Sequence, residues 1–180
     1  MAGKAVQARV HDALTEFVDE NLLELEWSVR AGAQDIFGAR DSYAPRLDIA
    51  IGPFNARFQN RHDAAAAIRH ADSPLISVLR AAIIDQNPEF FENGNPRCLV
   101  GIEVEHRTSS KHILGGIVNV SMLGRLGVVI GSPGNVAKIR RIHAYLLKLK
   151  EVEKAPLDMF GNVGVFELPE FLGVLNQARE

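Results

Sequence analysis

Glu103 and Glu105 stand two apart at the end of the run Cys98–Glu105, CLVGIEVE, whose mostly apolar residues read as a β-strand. That spacing puts both carboxylates on one face of a sheet. Like charges so placed destabilise each other unless solvent or a cation separates them. A hard divalent ion suits the pair, because Mg²⁺ takes one or two carboxylates and completes its shell with water and phosphate oxygens. The plainer alternative is a solvated strand end, where two glutamates are harmless. Asp48 sharpens the case: it sits in PRLDIAIG between Leu47 and Ile49, where an unpaired buried carboxylate is costly. An aspartate on one strand and a glutamate on its neighbour can share one ion, and an ion pair with Arg46 is the competing explanation.

The elements around these residues follow from hydrophobic period and turn chemistry. Val6, Val10, Leu14, Phe17 and Val18 have helical spacing, predicting an amphipathic helix over residues 4–21. Leu23, Leu25, Trp27 and Val29 alternate with polar residues, and Leu47, Ile49 and Ile51 alternate after a loop with Gly32, Gly38 and Pro45, giving two strands. Residues 54–96 form a helical insertion with an Ala-rich helix, Asp63–His70, and a more apolar one from Pro74 to about Ile84. After the strand ending at Glu105, Thr108, Ser109 and Ser110 can cap a helix running to Leu123, stopped by Gly124 and Gly127. Val128–Ile130 has the continuous apolar character of a buried central strand. A further helix is expected from Pro133 and Asn135 to Lys150, then an edge strand over Val163–Phe166 and a short helix over Glu170–Gln177. The expected fold is a single α/β domain over residues 1–180, a mixed sheet covered by helices.

Composition sets the outer limits. The chain has 180 residues, 47% hydrophobic and 23% charged, with a formal net charge of -2 and one cysteine, Cys98. One cysteine excludes an intrachain disulfide and cysteine-rich zinc sites, and no apolar run is long enough for a membrane helix, so a cytoplasmic protein without membrane partners is expected. The near-neutral total conceals segregation: residues 106–150 carry eight basic and no acidic residues, whereas the flanking parts are net acidic. Lys138, Arg140 and Arg141 in this acid-free segment are candidates for phosphate contacts with a nucleic acid. Gly131–Gly134 joins a strand to a helix but lacks the lysine and hydroxyl of a nucleotide loop. The six histidines show no paired metal-ligand spacing.

The strings PRLDIAIG and, about 50 residues later, CLVGIEVE, in an αβββαβ order, resemble the PD-(D/E)xK nuclease superfamily over roughly residues 5–131. The resemblance implies a restriction-endonuclease-like mixed sheet and a Mg²⁺-dependent endonuclease acting on DNA, with Mn²⁺ as a substitute ion. It implies that Asp48, Glu103 and the carbonyl of Val104 hold the metal, and that Glu105 occupies the position usually held by lysine. Lys111, at the start of the next helix, is then a candidate for a migrated catalytic cation. Glu20, with Glu16 behind it, is the candidate for a fourth acid on the first helix. A homodimer is expected if one site per chain is to cut both strands of a duplex. The alternative is a non-catalytic member of the same fold serving as a nucleic-acid-binding or protein-assembly module. A metal-free glycosidase is disfavoured, since carboxylates two apart on one strand cannot flank a sugar bond from opposite sides.

Overall fold

The computed structural model describes residues 2–29, 44–54, 73–149, 151–152, 154 and 159–179. The expected helix Asp63–His70 lies outside these residues. Helix α1 (Ala2–Leu14) is followed by a 3-10 turn (Glu20–Leu22), strands β1 (Leu23–Ser28) and β2 (Arg46–Ile51), and helix α2 (Pro74–Gln86). Then come β3 (Cys98–Glu105), α3 (Ser110–Leu123), β4 (Gly124–Gly131), α4 (Val136–Leu147), β5 (Val163–Glu167) and α5 (Leu168–Gln177).

The five strands form one mixed sheet in the order β1-β2-β3-β4-β5. β1, β2 and β3 pair antiparallel, and β3, β4 and β5 pair parallel. Helices cover both faces. Val10 and Leu14 of α1, Leu79 and Ile83 of α2 and Phe171 of α5 pack with Ile49, Ile102 and Val128. Ile113 and Ile117 of α3 and Ile139 of α4 pack with Leu47, Val129 and Val165 in a second apolar cluster. Double coverage explains why β4 is apolar from Leu126 to Ile130 instead of alternating.

Three expectations about boundaries are corrected. The first helix stops at Leu14 and not near residue 21: Thr15 turns its hydroxyl back to the Asp12 carbonyl at 2.7 Å, and Phe17 and Val18 both donate to the Leu14 carbonyl. This local bonding competes with helix continuation. Gly127 does not stop a helix, because α3 passes directly into β4 at Gly124, whose N–H still bonds the Val120 carbonyl. A Cβ at Gly124 would lie 2.7 Å from the Gly101 nitrogen and even closer to the Leu126 carbonyl, so only glycine permits this helix-to-strand passage. The last helix begins at Leu168 and not Glu170, with the Glu170 carboxylate folding back to accept from the Glu167 N–H at 2.6 Å.

Candidate active site

Glu26, Asp48 and Glu103 lie in one register row across β1, β2 and β3. The β1–β2 pairs Leu25–Ile49 and Trp27–Leu47 bracket Glu26 and Asp48, and the β2–β3 ladder ends at Ile49–Ile102, one step before Asp48 would face Glu103. At this row the strands change which layer they feed: Ile49 belongs to one apolar cluster and Leu47, of the same parity, to the other. Glu26 has a left-handed backbone, φ 50°. Where the ladder would continue, Asp48 Oδ2 instead accepts from the Val104 N–H at 2.8 Å. A side chain thus replaces a strand carbonyl and brings the Asp48 carboxylate against β3.

Asp48 and Glu103 lie close enough for each carboxyl to influence the titration of the other. Burial pushes the Glu103 carboxyl up to about 8, with the nearby Asp48 and Glu105 charges adding to the effect. Asn119 of α3 opposes this by donating to Glu103 Oε1 at 3.4 Å. Asp48 is raised by burial, against the pull of the Val104 N–H. Arg46 does not neutralise it, since its guanidinium lies 3.6 Å from Glu26. The competing Arg46–Asp48 pair is therefore not formed.

The other expected residues are dispersed. Glu105 shares the Glu103 face, and its Oε1 accepts from the Arg107 N–H at 2.6 Å. Lys111 is exposed on the first turn of α3. Glu20 lies on the 3-10 turn beside Leu22, whose carbonyl accepts from Gly52 beyond the far end of β2, so it is not brought to Asp48. Glu16 pairs with Arg179 near the C-terminus. The α1 residue that does reach this edge is Gln7, a neutral amide donating to the Asp48 carbonyl at 2.8 Å and to Glu26 Oε1 at 3.2 Å. Of the α4 cations, Lys138 donates to the Thr108 carbonyl and Arg140 pairs with Glu170 at 2.8 Å, while Arg141 is exposed.

Sequence reasoning passed over Gln7, Glu26, Asn119 and Asn135. Asn119 carried a signal, a lone amide between Val118 and Val120 in an otherwise apolar helix stretch. Buried Asn135 bridges the Glu105 and Arg107 carbonyls at 2.9 and 3.1 Å, tying the turn after β3 to the turn after β4.

A divalent ion fits the donor chemistry at the Asp48–Glu103 pair: burial and the neighbouring carboxylate charge both keep Glu103 protonated, and a cation would offset that repulsion. Among the described residues no group of three or more His, Cys, Asp or Glu side chains could hold a metal. The protein ligands would be the two carboxylates and the Val104 carbonyl, with water or substrate completing the shell. Among the described residues no helix is long and apolar enough to cross a membrane. No protein-family model, curated protein or solved structure matches the chain.

Proposed function

We propose that the chain is a Mg²⁺-dependent endonuclease of restriction-endonuclease-like fold that hydrolyses DNA phosphodiester bonds. The observation that carries this reading is the facing of Asp48 and Glu103 across the end of the β2–β3 ladder, with Val104 held between them by the Asp48 carboxylate. With α2 set aside as an insertion between β2 and β3, the order from α1 to β4 is αβββαβ, which is consistent with it.

Bound between Asp48, Glu103 and the Val104 carbonyl, the ion would supply Lewis-acid polarisation of a scissile phosphate. Asn119 steadies Glu103 as it ionises. Glu105 has one carboxylate oxygen engaged by the Arg107 amide, which leaves the other to accept a proton from the attacking water. Lys111, on the first turn of the next helix, is the side chain proposed to meet negative charge developing on the phosphate.

The test is plasmid nicking in Mg²⁺ or Mn²⁺ by wild type, Asp48→Ala and Glu103→Ala. Loss of cleavage in both variants, with the fold retained by circular dichroism, is expected. Equal nicking by all three proteins would remove the assigned site. A second reading, a non-catalytic nucleic-acid-binding or assembly module of the same fold, is favoured by one observation: Glu105, at the usual lysine position, is already committed to the Arg107 backbone. Tight DNA binding without metal-dependent cleavage would select it.

A further inference from the structure

We infer that the turn His106–His112, the loop after β3 together with the first turn of α3, binds the nucleic-acid backbone, holding phosphates that flank the one at the Asp48–Glu103 pair. The inference deepens the nuclease reading and rests on it for the position of the scissile phosphate, but not for its test.

The residues 106–112, HRTSSKH, contain no acid and are exposed throughout. The backbone beneath them is nevertheless held at several points. Asn135 bonds the Glu105 and Arg107 carbonyls, Glu105 Oε1 takes the Arg107 N–H, and Lys138 caps the Thr108 carbonyl. The arrangement presents a fixed backbone from which Arg107, Lys111 and His112 are exposed, while the His106 ring lies against Gly3 of α1.

Arg107 and Lys111 are not neutralised locally. Arg107 Nη1 lies 3.2 and 3.4 Å from the two ring nitrogens of His112, and Lys111 stands beside His112 in sequence. Among the described residues neither Arg107 nor Lys111 forms an ion pair, whereas Arg140 has Glu170 and Arg125 has Glu92. A guanidinium against an imidazole gains little by itself, but together they offer several N–H donors to an anionic oxygen. The charge of the acid-free segment is therefore available for contact at this turn, while Lys138 and Arg140 of α4 are engaged with the protein.

Position identifies the partner. The turn begins one residue after Glu105, and Arg107 follows Glu103 by four residues, at most about 14 Å along an extended chain. Phosphates bound there would belong to the same polymer as one bound at the carboxylate pair. This requires a polynucleotide, whose repeating phosphates can meet both places. DNA and RNA share this chemistry.

The experiment measures binding of labelled single-stranded DNA, duplex DNA and RNA of one sequence by fluorescence anisotropy in EDTA, where cleavage cannot contribute. Arg107→Ala should weaken the tightest of the three by about five- to tenfold and make the slope of log K against log salt shallower by about one. Arg107→Lys should recover most of the affinity. Arg9→Ala, an exposed charge loss on α1, should bind like wild type. The tightest arm identifies the nucleic acid, and equal binding of all three would mark pure backbone contact. Unchanged affinity and salt slope in Arg107→Ala would overturn the inference, as would wild type binding none of the three or preferring phosphatidylserine vesicles to all of them. Failure of the nuclease reading would show separately, as plasmid nicking that Glu103→Ala does not diminish.

Discussion

Glu103 keeps a proton at pH values where a solvated glutamate has lost it, and this gives the metal-free protein a definite pH response. Its carboxyl titrates near 4.5 when unfolded and at about 8 when folded. Below the lower value both states are protonated and the site carries no penalty; as the pH rises, the unfolded chain ionises while the folded one holds its proton, so stability is lost up to about pH 8. Glu103→Gln should remove this loss, raising stability by about 1–3 kcal/mol at alkaline pH and by far less in acid. Urea unfolding of both proteins at the two pH values measures the difference, and a pH-independent difference would contradict the assignment of cause. Asn119→Ala should weaken Mn²⁺ binding by about tenfold in calorimetry, since groups that orient ligand carboxylates contribute on that scale. The carboxylates themselves were legible as residues, because a charged side chain inside an apolar strand or a pair two apart stands out against its neighbours. Gln7 and Asn119 were not, because an amide on a helix acquires meaning only when the strand beneath it is known.

At the level of elements, α3 and β4 are coupled without a loop, and that coupling holds Asn119 over Glu103. Gly116 is not required for this approach: a Cβ there would sit 3.8 Å from Glu103 Cβ and Cγ, ordinary contact. Gly124 is the stricter position, since its Cβ would collide with the backbone of Leu126 and Gly101. Gly124→Ala should therefore destabilise the fold by about 2–4 kcal/mol, read as a shift in the urea midpoint. Gly116→Ala should change it by far less. Strand identities and the β3–α3–β4 order could be read from period and apolar runs. The end of α1 could not, because Phe17 and Val18 continue the helical spacing while the Thr15 back-bond and the Leu14 turn redirect the chain. Glu20 was assigned to the first helix on that spacing, and the redirected chain carries it to the other end of β2.

For the whole molecule, the sheet brings the C-terminal ends of β1, β3 and β4 and the start of β2 to one edge, where Glu26, Asp48, Glu103 and the His106–His112 turn converge. An acidic pair with a basic turn beside it should respond globally to a divalent ion. Mg²⁺ at about ten times its dissociation constant should stabilise the folded chain by about 1.4 kcal/mol, raising Tm by a few degrees. The effect should be larger at about pH 8 than at about pH 5, where protons compete, and should vanish in the Asp48→Asn, Glu103→Gln double variant; an equal Tm rise in that variant would assign the ion elsewhere. Composition, period and turn residues alone determined an α/β chain with a mixed set of strands, its main elements, its acid-free segment and three carboxylates worth explaining, because these are local properties of the polymer. Only the tertiary structure decided which of those groups meet. Asp48 reaches Glu103 because the ladder ends between them, Gln7 takes the place proposed for an acid, and Lys138 and Arg140 are drawn into the fold while Arg107 stays outside it. Strand register and helix placement act over long sequence separations, and one residue of register moves a side chain to the opposite face.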